Sequence, residues 1–500
     1  MTEPHEMTAR EQAAALRRGD LGAVELVEHA LRRVEALDGG LGAFVTVTAD
    51  RALDEARAAE KRLAAGGDDL PPFLGVPTAI KDLAMTAGVA TSFGSPVYAG
   101  WVPDVDDDSA RLLRTAGTIS LGKTATPEFG LPPYTEPAGR PAAVTPWDPT
   151  RLAGGSSGGA GAATAAGLVA FAHGTDGGGS IRIPAAACGL VGLKTSRGLV
   201  SRGPAGGDPL GMSVSGPLAR TVDDAAAMLD ALADVVPGEP YPLLAPRPET
   251  YLAAALRAAP RRLRIGRYRT PPVPDAVLDP ACVDAYERAT DLLTGLGHEV
   301  VEFAPGIDGS FLPVFETLWA VLAHGHPVPP EAEPLLAPLT RWWRDRGSAV
   351  SGPEYLAATQ SALAVTRRVV GAQAAAGVDV VLTPMLAQLP RPVGWFTDGG
   401  DPAEDFARQK RFTPFTATYN ITGQPALSLP VAFARPVDGP ADGPELPVSV
   451  QLVGRAGDDA LLLELGAQLD AASGRDAARR PPDVVTPPTR RARVTWSHGA

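Results

Sequence analysis

The stretch GTDGGGSIRIP, residues 174–184, places three consecutive glycines directly before a serine. Glycines let the backbone turn tightly and aim several N–H groups at one point. The N–H groups of Gly177, Gly178 and Gly179 are therefore predicted to form an oxyanion hole beside Ser180. In acyl transfer, each donor placed where negative charge develops is worth about 3–4 kcal/mol.

A second Gly/Ser-rich segment, GGSSGG at residues 154–159, lies upstream. Its first five residues match G-x-S-x-G, the nucleophile elbow of the α/β-hydrolases, which needs a strand directly before it. Residues 145–151, TPWDPTR, have the composition of a turn instead, so this interpretation is disfavoured. Neither segment fits the phosphate-binding pattern G-x-x-x-x-G-K-[ST].

A serine hydroxyl is a weak nucleophile until a base removes its proton. His173 is the only histidine close in sequence to the two segments. Lys81 is a second candidate, since it lies near the end of the apolar run of residues 73–83 and burial lowers the pKa of a lysine. Spacing alone leaves the choice open. Asp176 and Arg182 could equally brace the loop as an ion pair or act in catalysis.

Composition narrows the function classes. The 500 residues are 45% hydrophobic and 20% charged, and the net charge of −12 disfavours nucleic acid and anionic membranes as partners. Two cysteines make no disulfide framework, which indicates a reducing, cytoplasmic setting. We find no H-E-x-x-H or C-x-x-C pattern, no signal peptide and no membrane-length apolar run. The sequence therefore predicts neither a metal nor a cofactor.

Apolar periodicity predicts alternating strands and helices, and thus an α/β fold. Residues 304–350 have the weakest pattern and are interpreted as helices and loops over a site. The predicted helices are two within 8–37 and one each at 49–65, 108–115, 159–169, 282–296 and 458–472. The predicted strands are 73–83, 118–122, 263–268, 378–383, 425–433 and 447–453, and 214–233 is predicted as a loop followed by a helix.

In order and spacing, the two segments resemble the signature of the amidase signature family. The motif GVPTAIKD at residues 75–82 and the motif NITGQPALSLP at residues 420–430 are also similar to that family. The resemblance implies one domain over residues 1–475, built on a large mixed twisted β-sheet between layers of helices. Its implied parts are a signature core (75–235), a variable substrate-pocket region (236–375) and a C-terminal return to the core (376–475). Residues 476–500 are predicted to be a mobile Pro/Arg-rich tail.

The resemblance also implies roles for single residues. Lys81 would be the base, Ser156 the bridging serine after a cis peptide bond, and Ser180 the nucleophile, with Ser157, Asp176 and Arg182 in support. The implied activity is hydrolysis of a carboxylic amide through an acyl-serine intermediate. Gly177 stands where many members carry a bulkier residue, and this resembles the branch that contains 6-aminohexanoate-cyclic-dimer hydrolase. A hydrophobic linear, aryl or cyclic amide is therefore the expected small-molecule substrate, with esters or carbamates as side substrates.

Aromatic side chains often line apolar clefts, which makes Tyr134, Trp319, Trp395 and Phe396 candidates for the substrate pocket. Ordinary core packing is an equal alternative for each of them. Two other functions stay open: the glutaminase subunit of a tRNA-dependent amidotransferase, and a non-catalytic binding protein on the same scaffold. A homodimer is a further expectation.

Overall fold

The structure is a computed structural model that describes residues 2–67, 69–204, 208–234, 236–243, 245, 247–257, 261–474 and 481–483. Helices occur along the whole of these ranges. They are α1 (Ala9–Arg18), α2 (Ala23–Leu41), α3 (Ala49–Ala65), α4 (Asp108–Thr115), α5 (Gly158–Ala165), α6 (Arg182–Cys188), α7 (Val222–Leu232), α8 (Tyr251–Ala255), α9 (Pro280–Gly295), α10 (Phe311–Gly325), α11 (Pro338–Ser348), α12 (Gly352–Ala375), α13 (Pro402–Phe412), α14 (Ala417–Thr422) and α15 (Asp459–Ser473).

The strands of the described residues form two sheets. They are β1 (Phe44–Val47), β2 (Pro77–Lys81), β3 (Ile119–Thr124), β4 (Phe171–Asp176), β5 (Val191–Lys194), β6 (Val214–Ala219), β7 (Arg264–Arg267), β8 (Glu299–Glu302), β9 (Val380–Pro384), β10 (Ala426–Ala434) and β11 (Leu446–Val453). The large sheet has eight strands in the order β4-β6-β5-β10-β11-β9-β7-β8, and the small sheet has the order β1-β3-β2.

The large sheet is mixed. Neighbouring strands from β4 to β9 are antiparallel, whereas β9, β7 and β8 are parallel to one another. The signature segment and the C-terminal segment meet where β5 pairs with β10, with Leu193 opposite Leu427. An α/β fold with a large mixed sheet is thus confirmed. The finer division at residues 236 and 375 stays a prediction.

Helices cover both faces of the large sheet. Leu427 of β10 packs against Gly466 of α15. The next residue, Ser428, pairs with Gln451 of β11, whose side chain accepts a hydrogen bond from Arg182 of α6. Because successive side chains in a strand point to opposite faces, α15 and α6 lie on opposite sides of the sheet.

Most predicted elements are present. Thr8 caps α1 with Glu11 in a capping box, and the strands predicted at 425–433 and 447–453 pair as β10 and β11. The prediction of a loop at the start of 214–233 was wrong, since residues 214–219 form β6. Strand β4 and helix α6, which flank Ser180, were not predicted at all.

The structure also bears on the chain ends and on membranes. Of the predicted tail, 476–500, only residues 481–483 lie within the described residues, where Asp483 accepts a hydrogen bond from Arg33. Among the described residues, no helix is long and apolar enough to cross a membrane.

Candidate active site

Strand β2 ends at Lys81 and places its side chain in the protein interior, where it is fully buried. The Nζ atom lies 2.8 Å from Ser156 Oγ, 2.9 Å from Thr175 Oγ1 and 3.4 Å from the Thr175 carbonyl oxygen. Burial holds the pKa of Lys81 well below its ordinary value; the carboxylate of Asp176 opposes this, and the charge of Arg202 adds to it. Burial therefore shifts the amine toward its neutral form.

A neutral amine has two hydrogens to donate and one lone pair to accept with. The two oxygens of Thr175 can take both hydrogens of Lys81, which leaves the lone pair for the hydroxyl proton of Ser156. Such an arrangement can move a proton from Ser156 to Lys81.

The segment that carries Ser156 fits closely into its surroundings. The peptide bond between Gly155 and Ser156 is cis, as the family resemblance implied. A Cβ atom on Gly155 would lie 2.6 Å from the backbone nitrogen of Tyr134, so only glycine fits there. The neighbouring Ser157 donates its N–H to the Ser180 carbonyl oxygen at 3.2 Å and its hydroxyl to the Thr175 carbonyl oxygen at 3.2 Å. These bonds join the two Gly/Ser-rich segments.

Ser180 lies in the turn between β4 and α6. The strand–turn–helix context that was missing at Ser156 is therefore found at Ser180 instead. Its hydroxyl has no hydrogen-bond partner within the described ranges, and the residue lines a cavity. Ser180 is thus free to meet a substrate, while Ser156 faces Lys81.

The glycine loop before Ser180 is predicted to supply the oxyanion hole. The N–H of Gly179 donates to Asp176 Oδ1 at 2.8 Å, so this donor is already used, and its assignment to the oxyanion hole is corrected. The N–H groups of Gly177 and Gly178 have no partner in the part of the chain that the structure describes. They remain available to a developing oxyanion.

Asp176 and Arg182 form a fully buried ion pair with two parallel hydrogen bonds of 2.9 Å. The same carboxylate also accepts from the N–H groups of Gly179 and Ile181 and from the Asn420 amide. Burial acts to raise the pKa of Asp176, but the Arg182 guanidinium outweighs it, so the pKa lies below its usual range. Among the described residues, the pair makes no hydrogen bond to a candidate catalytic hydroxyl, and its hydrogen bonds brace the Ser180 loop.

The cavity at Ser180 is narrow, about 60 Å³, and mainly apolar. Phe315 and Trp319 of α10 stack at 5.1 Å and form one wall. A Cβ atom on Gly177 would lie 3.3 Å from the Trp319 ring, and one on Gly178 would lie 3.4 Å from Phe315. The glycines therefore let this aromatic wall approach the nucleophile loop.

Of the four predicted pocket aromatics, the structure places only Trp319 on the cavity wall. Tyr134 and Phe396 are buried and stack at 4.6 Å in a cluster beside the cavity, and Trp395 packs against Phe396. The prediction that Tyr134, Trp395 and Phe396 line the pocket is corrected, because these rings pack on one another instead.

The His173 ring makes no hydrogen bond to Ser156 or Ser180. Burial lowers its pKa to about 3, and neither ring nitrogen has a partner among the described residues. A larger cavity, about 350 Å³, is lined by residues such as Arg197 and Tyr241 and by none of Lys81, Ser156 and Ser180. The chemistry therefore favours the smaller cavity as the site.

One group in the described ranges could hold a metal ion, and it lies outside this site. It consists of Glu3, His5 and His29, with 3.1 Å between the nearest ring nitrogens of the two histidines.

Sequence reasoning missed several residues that complete the site. Thr175 stands inside the segment of residues 174–184, and its side chain accepts a hydrogen bond from Lys81. Asn420 also lay inside a recognised motif, and its amide donates to Asp176. Gln451 and Thr416 accept bonds from Arg182 and carried no signal that could have revealed this.

The chain matches the Amidase family model over residues 25–463. It is 40% identical to the putative amidase AmiB2 of Mycobacterium tuberculosis over 488 residues, covering 95% of this chain and 98% of the relative. It is 34% identical over 495 residues to 6-aminohexanoate-cyclic-dimer hydrolase of Paenarthrobacter ureafaciens, covering 95% of this chain and 96% of the relative.

Solved structures agree with these matches. A 6-aminohexanoate cyclic dimer hydrolase complexed with substrate aligns with a TM-score of 0.86 and 32% identity, covering 96% of this chain and 99% of that one. A bacterial aryl acylamidase of the amidase signature family aligns with a TM-score of 0.81 and 25% identity, covering 94% and 97%. The chain therefore belongs to the amidase signature family, whose enzymes hydrolyse the carbon–nitrogen bonds of amides.

Proposed function

We propose that this amidase hydrolyses a neutral, mainly apolar amide through an acyl-enzyme on Ser180. Neutral Lys81 takes a proton from Ser156, which takes the proton of Ser180 as the Ser180 oxygen attacks the carbonyl carbon. The N–H groups of Gly177 and Gly178 hold the oxyanion. Ser156 then gives its proton to the leaving nitrogen as the C–N bond breaks. Water clears the ester by the same relay and releases the acid.

One observation carries the proposal. The fully buried Lys81 lies 2.8 Å from the hydroxyl of Ser156. The residue after Ser156, Ser157, donates a backbone hydrogen bond to the carbonyl oxygen of Ser180. Burial of Lys81 favours the unprotonated amine, which is the form a base needs. The free hydroxyl of Ser180 faces the cavity, which is where a nucleophile has to lie.

The shape and chemistry of the cavity support a linear, aryl or cyclic amide. The stacked rings of Phe315 and Trp319, together with Leu131 and Ile183, give the site flat and apolar walls. The names of the relatives, a cyclic dimer hydrolase and an aryl acylamidase, agree with such substrates. Esters and carbamates of the same shape are expected as side substrates, because the acyl chemistry is shared.

Purified protein should release amine from a panel of short amides, anilides and cyclic amides. Ser180→Ala should lower kcat/KM by more than about a thousandfold, since no covalent intermediate can form. Ser449→Ala is the matched control, because Ser449 is a buried serine of β11 whose hydroxyl has no partner within the described residues. Full turnover by Ser180→Ala would disprove the proposal.

The two alternative functions are separated by adding glutamine and a fluorophosphonate probe to this panel. A glutaminase subunit would release ammonia from glutamine and require a partner chain. A non-catalytic binding protein would not react with a fluorophosphonate probe, whereas the proposed enzyme is labelled at Ser180 in the wild type only.

A cytoplasmic location is proposed on the two buried free thiols, Cys188 and Cys282, and is tested by cell fractionation. A homodimer stays a prediction, which light scattering on the purified protein would check.

A further inference from the structure

Gln409 of α13 lies in the wall of the Ser180 cavity and is 5% exposed. Its side-chain nitrogen donates to Asp405 Oδ1 at 2.8 Å. The other carboxylate oxygen of Asp405 accepts from the hydroxyl of Tyr134 at 2.6 Å. Tyr134 is itself fixed by its stacking on Phe396. A rigid chain of hydrogen bonds therefore ends at the cavity.

This chain determines which way the amide of Gln409 faces. Both carboxylate oxygens of Asp405 accept hydrogen bonds, one from the Tyr134 hydroxyl and one from Gln409, which holds the NH₂ group of Gln409 toward Asp405. The carbonyl oxygen, Oε1, then faces away from Asp405. It has no hydrogen-bond partner among the described residues, and it is not one of the atoms sealed from solvent. Gln409 thus brings an unpaired acceptor to the wall of a mainly apolar cavity.

The charges near this acceptor favour an uncharged donor. Lys410, the next residue in the wall, pairs with Glu316 at 2.9 Å, and Arg346 lies 3.6 Å from the same carboxylate. In the cavity wall itself, a substrate ammonium would lie near Lys410, and a carboxylate would lie near the Gln409 oxygen. A neutral N–H group would be repelled by neither of these groups.

We propose that Gln409 Oε1 binds a second N–H group of the substrate, remote from the scissile bond. This inference rests on the proposed function and deepens it: the preferred substrates are neutral amides that carry a further amide N–H in the acyl chain. Tyr134 and Asp405 are positioning residues that hold the acceptor toward the cavity.

The test uses 4-nitroanilides whose acyl chains carry an internal amide at different distances from the scissile carbonyl. Each is compared with the matched ketone, in which CH₂ replaces the internal N–H. At one position or more, the wild type should prefer the amide over the ketone by about five- to tenfold in kcat/KM, as a neutral hydrogen bond allows. Gln409→Met, of similar length, should bring this ratio close to one.

The variant Asp405→Asn distinguishes a positioning role of Asp405 from a merely structural one. With Tyr134 donating to the asparagine oxygen, the asparagine NH₂ group faces Gln409, whose amide then turns its own NH₂ group into the cavity. The preference for the internal N–H should disappear in this variant, while the plain anilide is still hydrolysed.

The inference is overturned if the wild type shows no amide preference at any position. It is also overturned if Gln409→Met keeps the wild-type ratio. Either result can occur while the simple anilide is hydrolysed and Ser180→Ala is inactive. Failure of the subsite is thereby distinguished from failure of the proposed function, in which no anilide would be cleaved.

Discussion

The buried pair of Arg182 and Asp176 makes a quantitative prediction about the stability of the Ser180 loop. Both side chains have no solvent exposure, and Arg182 is joined to the carboxylate by two hydrogen bonds. Arg182→Met keeps much of the side-chain volume but leaves the buried carboxylate without its counter-charge. Removing one partner of such a pair costs about 3–5 kcal/mol.

That free energy converts into a shift of the melting midpoint. An unfolding entropy of about 2 cal/mol/K per residue amounts to about 1 kcal/mol/K for a chain of this length that unfolds as one unit. Arg182→Met should therefore lower Tm by about 3–5 °C in differential scanning calorimetry at pH 7. The double variant Arg182→Met/Asp176→Asn should recover part of the loss, because no uncompensated charge remains.

The matched control is Arg18→Met, which breaks the Arg18–Asp20 pair, whose side chains are 62% and 59% exposed. Exposed pairs contribute about 1 kcal/mol or less, so this variant should shift Tm by less than about 1 °C. If Arg182→Met melts no earlier than the control, the interpretation of the buried pair as the brace of the loop is wrong.

Three further predictions concern pH and the cavity. In a pH profile of kcat/KM, activity should rise with pH as Lys81 loses its proton and level off well below pH 10.5. Arg202→Gln should move this rise in activity to higher pH, because the positive charge of Arg202 disfavours protonated Lys81. A rise at the same pH as in the wild type would contradict this prediction. Burial raises the pKa of Asp38 to about 6, so its contribution to stability is present at low pH and is lost as pH rises through that value. The Tm of Asp38→Asn, relative to that of the wild type, should therefore be higher at pH 8 than at pH 4. The same Tm difference at both pH values would count against this prediction. Gly177→Val should raise KM for bulky anilides, since its added carbons would meet the ring of Trp319; KM values equal to wild type would show that the wall is not part of the binding site.

Local patterns predicted much of the fold. Strands β10 and β11 combine strong β-formers with a polar linker, so their pairing was visible in the sequence. Strand β4 was not visible, because Ala172, His173 and Gly174 have little β propensity. Strand β4 forms because it pairs with β6 and is completely buried. Both the pairing and the burial depend on tertiary structure, which a local sequence pattern does not contain.

The site, like the fold, was predicted where the signal was local and missed where it depended on tertiary structure. Lys81 was a candidate from the apolar run before it, although only the family resemblance selected it over His173. The partners of Arg182 could not be deduced, since Asn420 and Gln451 lie 238 and 269 residues away in the chain. Aromatic residues such as Tyr134 indicate burial, but the sequence does not indicate whether a ring faces a cavity or a neighbouring ring.

The deep burial of Lys81 has a practical consequence for chemical modification. The chain has five lysines among its 45 lysine and arginine residues, and Lys81, Lys123 and Lys194 are completely buried. Lys61 is exposed, and Lys410 is partly shielded in its ion pair. Reagents that acylate surface amines therefore have very few side chains to react with. Coupling to a support would therefore fall on Lys61 of α3, the α-amino group and, to a lesser extent, Lys410, and it would leave the amine that the proposed mechanism needs unmodified.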